Sequence, residues 1–128
     1  MSDSRAALVT GGTGRVGRAV AARLESDGFR VLAAGRADGD LADPGAARTL
    51  VERAAVELGG LDVVVHAAGG GFFPRPVEDV SEEDWDAAFG ATAKGSFFVA
   101  QAAAPHLRES SLGLLVLIED VAAYQPWP

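Results

Sequence analysis

The chain of 128 residues contains no cysteine, which excludes disulfides and thiolate metal sites. Its two histidines are too few for a metal cluster. Positive charge is scarce as well: 11 Lys and Arg against 18 Asp and Glu leave a formal charge of −7. That balance argues against nucleic acid or an anionic membrane as the general partner, although single cations such as Arg15, Arg18 and Arg36 can still meet a phosphate. A charged residue interrupts every apolar run before it reaches spanning length, and Met1 to Arg5 lacks the basic-then-apolar order of an export signal. The expectation is a soluble, cytoplasmic protein with no membrane partner. No repeat or low-complexity linker is present, and a 48% hydrophobic composition over this length suits a single domain spanning residues 1–128.

Glycine, by contrast, is plentiful and placed. Ala6 to Thr10 is a short apolar run that breaks into Gly11-Gly12-Thr13-Gly14-Arg15-Val16-Gly17 and then into a helical pattern. Glycine permits a tight turn and close backbone approach, and a helix start offers unpaired N–H groups with partial positive charge, which together suit a pyrophosphate. The spacing of Gly11, Gly14 and Gly17 is neither G-x-G-x-x-G nor a Walker loop, since Arg18 and Ala19 stand where Lys and Ser or Thr would follow. Two readings fit these glycines alone, a nucleotide loop or a plain strand-to-helix turn.

Further along, strand and helix patterns alternate. Helix is expected over Arg15 to Ser26, strand over Phe29 to Ala34, and helix from the Asp43 N-cap and Pro44 to Leu58, stopped by Gly59-Gly60. Leu61 to His66 reads as the third strand, ending in the glycine-rich loop Ala67 to Gly71. Ser81, followed by Glu82, Glu83 and Asp84, starts a helix, and a long alanine-rich helix is expected to follow towards Leu107. Leu114 to Ile118 is the fourth strand. Continuously apolar strands separated by helices predict an α/β fold, a doubly wound, Rossmann-like parallel sheet; in a sheet of the kind the resemblance below implies, the order would be second, first, third, fourth. The switch point then lies between the loops after the first and third strands.

Taken together and in this order, the motifs resemble the short-chain dehydrogenase/reductase family over nearly the whole chain. Thr10-Gly11-x-x-Gly14-x-x-Gly17 is similar to its cofactor loop, in the spacing of its extended members. Asp40-Leu41 resembles its acidic-aliphatic pair, His66-Ala67-Ala68-Gly69 stands where Asn-Asn-Ala-Gly is usual, and Trp85-Asp86 through Lys94-Gly95 resembles its central helix. The resemblance implies a dinucleotide held by Thr10, Gly11, Thr13, Gly14, Arg15, Val16, Gly17, Asp40, Leu41, Ala67, Ala68 and Gly69, with the Asp40 carboxylate on the adenine amino group. Arg36 follows the second strand, where a cation would pair with a 2′-phosphate and so favour NADP over NAD. A solvated loop arginine is the other reading, and Asp38 and Asp40 would weaken its field. Only Ala37-Asp38-Gly39 separates Arg36 from Asp40, which implies a sheet trimmed at that edge.

The resemblance also implies hydride transfer to a carbonyl or imine of a small molecule, as in a pteridine reductase, for which Phe72-Phe73 would suit a flat aromatic substrate. The family's catalytic set is poorly matched. Thr92 stands at its asparagine position and Asp120 at its serine position, while the Tyr and Lys would fall beyond Pro128. Tyr124 comes too early, and Pro128 stands where its lysine would be; a loop aromatic near Pro126 and Trp127 is its plainer role. Asp120 is read either as a group orienting substrate or as an exposed strand-end acid. His66 is read as a hydrogen-bonded structural residue or a general base. Apolar residues on both faces over 112–118 suit an interior strand, so the expectation is that a second copy or a missing C-terminal half covers it. The alternative to an enzyme is a nucleotide-sensing domain without catalysis.

Overall fold

A computed structural model describes residues 4–70 and 74–125. Phe72, Phe73, Pro126 and Trp127, to which substrate or packing roles were attached above, lie outside the described residues. The elements are β1 (Ala6–Thr10), α1 (Arg15–Ser26), β2 (Arg30–Ala34), α2 (Pro44–Leu58), β3 (Val63–His66), α3 (Glu82–Phe89), a π-helical turn (Gly90–Lys94), α4 (Gly95–Glu109) and β4 (Leu114–Leu117). The four strands are parallel in the order β2-β1-β3-β4, as expected. β1 spans the residues expected of it, and the other three strands are one or two residues shorter than the runs that mark them.

Alternation along β1 and β3 builds two cores. Ala7, Val9, Val63 and Val65 point to one face and pack with Ala21, Val20 and Leu24 of α1. Leu8 and Val64 point to the other, against Leu50, Val51 and Ala54 of α2 and Val99, Ala103 and Leu107 of α4. Burial on both faces is why these strands need no polar alternation. β2 is the outer strand at one edge, and a 3-10 turn, Arg36–Asp38, follows it before α2. At the other edge, Leu115 and Val116 of β4 are half-buried, whereas Leu114, Leu117 and Ile118 are exposed.

The helical stretch expected from Ser81 towards Leu107 is present, with the π-helical turn inserted between α3 and α4. Gly90 and Gly95 flank this turn, and both press on the chain at Leu41-Ala42: a Cβ would stand 3.0 Å from Ala42 Cβ at Gly90 and 3.0 Å from the Leu41 carbonyl oxygen at Gly95. Tertiary contact, not local propensity, sets the break.

At the sheet end remote from the glycine loop, Asp62 gathers three segments. Its carboxylate accepts from the Ala6 N–H at 2.7 Å and the Ser110 hydroxyl at 2.5 Å, and its carbonyl accepts from Leu114 N–H at 2.9 Å. Burial pushes this carboxyl up, but the Ser110 and Ala6 hydrogen bonds, aided by Arg5 and Arg30, outweigh burial and hold it below its usual value. Asp62→Ala is expected to cost about 1–3 kcal/mol, read from urea midpoints at neutral pH. Since the folded value is the lower one, the wild-type advantage should be full above about pH 3.8 and vanish as acidification passes the folded value. A midpoint for the variant equal to wild type at pH 7 would refute it.

Candidate functional site

Just beyond the C-terminal ends of β1 and β3, the two loops meet backbone to backbone. Gly11 has φ +63°, and a Cβ there would stand 2.6 Å from the Ala67 carbonyl and the Ala68 nitrogen. Only glycine takes this conformation and this approach without strain. Gly17, buried in the first turn of α1, is as constrained, since a Cβ would lie 2.0 Å from the Gly11 carbonyl oxygen. Thus the loop is folded down onto both the helix start and the neighbouring strand. Asp43 caps α2 by accepting from Ala46 N–H at 2.9 Å, and Ser81 caps α3 by accepting from Asp84 N–H at 3.1 Å. At α1 the cap is Gly14, with no side-chain acceptor, so its leading N–H groups are left for another partner.

These loops frame a cleft of about 570 Å³, within the range of roughly 300–1,000 Å³ usual for small-molecule sites. Gly11, Thr13 and Gly14 form one wall, with Ala34, Gly35 and Arg36 beside them; Gly39, Asp40, Leu41 and Leu50 form the next, and Ala67 to Gly70, Ala87 and Ala91 complete it. Nine of the residues expected to hold a cofactor therefore converge: Gly11, Thr13, Gly14, Arg36, Asp40, Leu41, Ala67, Ala68 and Gly69. Four do not line it. Gly17 lies beneath the loop, Arg15 and Val16 are exposed on the outer helix turn, and Thr10 is wholly buried with its hydroxyl spent on His66. Gly35 joins the wall although its sequence neighbourhood carries no motif; its missing side chain leaves room for Thr13, which a Cβ would meet at 2.7 Å.

The charges near Arg36 are arranged differently from the simple count of acids around it. Asp38 accepts from Arg53 at 2.6 Å and from the Gly35 N–H at 2.8 Å, and these bonds, Arg53 first, hold its carboxyl below the usual range. Its charge is thereby matched on the side of α2. Asp40 accepts from the Ala42 N–H at 2.9 Å and stays at the cleft wall with Arg36. Arg18 donates to the Thr13 carbonyl at 3.0 Å, bracing the loop from outside.

The two residues at catalytic positions do not reach this cleft. The Thr92 hydroxyl donates to the Ala88 carbonyl one helical turn back, and its side chain borders a separate, shallower depression with Phe89, Phe97, Leu117 and Glu119. Asp120 is exposed and accepts from Ala122 N–H at 2.7 Å, capping the 3-10 turn Val121–Ala123. Both are engaged by local backbone groups, as Ser, Thr and Asp commonly are. Tyr124 is exposed on the surface.

His66 is buried with both ring nitrogens hydrogen-bonded. It is 2% exposed, with Nδ1 2.8 Å from Thr10 Oγ1 and Nε2 3.0 Å from the Ala91 carbonyl oxygen. Burial pushes its ring below the usual histidine value, against the opposing pull of the Ala91 carbonyl and the Glu119 charge. The unfolded chain then takes up this proton at a higher pH than the folded one. The stability of the neutral form should be full above about pH 6.5 and decline as pH falls through the lower folded value. Urea midpoints from pH 8 to pH 5 should drop more steeply for wild type than for His66→Gln; equal slopes would refute it.

Comparison with known proteins is consistent with this geometry. Residues 12–128 match the family model described as Enoyl-(Acyl carrier protein) reductase. Among relatives, a 4-formylbenzenesulfonate dehydrogenase of Comamonas testosteroni is 30% identical over 98% of this chain, which spans 58% of that protein. A short-chain dehydrogenase/reductase of Serratia marcescens is 27% identical with a TM-score of 0.83, covering 96% of this chain and 61% of that one. A 3-ketoacyl-(acyl-carrier-protein) reductase from Brucella melitensis complexed with NADH shares the fold at a TM-score of 0.89 and 23% identity, covering 97% of this chain and 60% of that one. The chain spans little more than half the length of these relatives. Its glycine-built switch-point cleft, four-stranded parallel sheet and family match over nearly all its residues establish that it belongs to the short-chain dehydrogenase/reductase family.

Proposed function

We propose that the cleft holds NADP(H) and that the protein serves an oxidoreductase acting on a carbonyl or imine of a small molecule. The observation that carries this reading is the side-chain-free cradle of Gly11, Gly14 and Gly17 at an α1 start that no side chain caps. A pyrophosphate needs close backbone approach and N–H donors, and a Cβ at Gly11 or Gly17 would displace the loop that supplies them. Beside it, Arg36 supplies a cation for a 2′-phosphate, and the Arg53–Asp38 pair removes one acid from competition. Asp40, through its free acceptor capacity, and buried Leu41 suit the adenine end; Ala67, Ala68 and Gly69 leave the opposite wall open to the dinucleotide.

Bound there, the nicotinamide supplies hydride transfer. The chain's own described residues bind and orient: among those lining the cleft, Arg36 and Asp40 are the ionisable ones, and both stand after β2, not at the β3 wall. Thr92 and Asp120, tied to local backbone, are assigned no step. The Comamonas relative, named for an aromatic aldehyde, fits the carbonyl class proposed.

Calorimetric titration of the 128-residue chain should show NADPH binding more tightly than NADH. Arg36→Ala should weaken NADPH by about tenfold, the scale of one charge-assisted hydrogen bond, and leave NADH nearly unchanged. No detectable binding of either nucleotide at millimolar concentration would sink the cofactor reading; equal loss for both would sink the assignment of Arg36. Gly11→Val should abolish binding of both, and a Gly11→Val protein that binds as wild type would show that the cradle is elsewhere.

A further inference from the structure

We propose that His66 is a positioning residue that fixes the separation of two walls of the cleft, by bridging the base of the glycine loop to the π-helical turn. The inference rests on the reading that this cleft holds the dinucleotide, but its structural part can be measured without any nucleotide.

The hydrogen bonds leave one assignment for the neutral ring. A carbonyl only accepts, so Nε2 carries the proton and donates to Ala91; Nδ1 then offers its lone pair and accepts from the Thr10 hydroxyl. Neither end is incidental. Thr10 is the last residue of β1 and adjoins Gly11, which lines the cleft; Ala91 lines it from across. Thr10 is fully buried and His66 nearly so, so the bond between them forms away from competing water, while the bond to Ala91 is part-buried at the cleft wall.

The π-helical turn explains why a donor is needed there. In a regular α-helix the Gly95 N–H would bond the Ala91 carbonyl, four residues back. Here that N–H goes to the Gly90 and Thr92 carbonyls, passing over Ala91. The Nε2–H of His66 takes the place of that lost donor, so the same extra residue that widens the helix also turns a backbone acceptor towards β3. The widened turn, with Gly90 and Gly95 pressed on the Leu41-Ala42 segment, is held from two sides: backbone packing on one and the His66 ring on the other.

A side-chain amide carries both a donor and an acceptor, so His66→Gln can restore the bridge, whereas His66→Leu strands the Thr10 hydroxyl and removes the Ala91 partner. Hydrogen–deuterium exchange of the segment 89–96 should speed up on the order of tenfold in His66→Leu, with β2 amides unchanged as internal control, and return to within about twofold of wild type in His66→Gln. NADPH affinity should fall by about tenfold in His66→Leu and recover in His66→Gln. Should His66→Leu not fold, Thr10→Val, which cuts the other arm of the bridge, should raise exchange in the same segment by about threefold.

Wild-type exchange over 89–96 in a folded His66→Leu, or in Thr10→Val if His66→Leu does not fold, would overturn the bridge. Faster exchange with unaltered NADPH affinity would overturn its role in setting the cleft. Failure of His66→Gln to restore either readout would overturn the donor–acceptor account of the ring. If wild type binds no dinucleotide, the cofactor reading fails by itself, and the exchange data still decide whether His66 holds the turn.

Discussion

The approach of Gly11 to the Ala67–Ala68 peptide is the constraint from which the cleft follows. Neighbouring parallel strands whose connections leave to opposite faces must part at their C-terminal ends, and that parting is where a doubly wound sheet binds ligands. Here the crevice is closed at its base by two backbones in contact, with no side chain between them. The loop can lie this low because Gly17 lets α1 come down over the Gly11 carbonyl. Buried β1 and β3, paired over their full overlap, hold both loop ends in register.

Electrostatics follow from the same arrangement. α2 and α3 have conventional side-chain caps, and α1, whose start faces the cleft, has none. A cap there would occupy N–H groups of the kind a phosphate needs, which is why the uncapped start of α1 supports the proposed cofactor site. On the far wall, α2 contributes through Arg53, which takes up the Asp38 charge and holds the carboxylate that orders the Gly35 N–H. The position of Arg36 thus depends on a helix whose main role is core packing.

Much of this was legible in the chain as written. Apolar runs over 6–10 and 61–66 mark strands buried on both faces, Asp43-Pro44 and Ser81 mark helix starts, and three glycines at regular spacing between strand and helix mark the loop. Such features depend on residues close together in sequence. Less legible was which loop residues face inward: Thr10 and Gly17 belong to the same motif as Gly11, yet one supports the cleft through His66 and the other from beneath. By resemblance Thr92 and Asp120 stand at the family's catalytic positions, but a hydroxyl within reach of a carbonyl one turn back, and a carboxylate beside a turn N–H, satisfy themselves locally.

Periodicity, caps and glycine spacing are properties of short segments, and for that reason the amino-acid order alone was enough for the succession of strands and helices, while the sheet order and the family came with the resemblance of its motifs. The π-helical turn, the Arg53–Asp38 pair and the His66 bridge join residues 15 to 56 positions apart or answer a backbone pressing from outside the segment. No local pattern encodes them, because each comes into being only when packing brings partners from separate segments together.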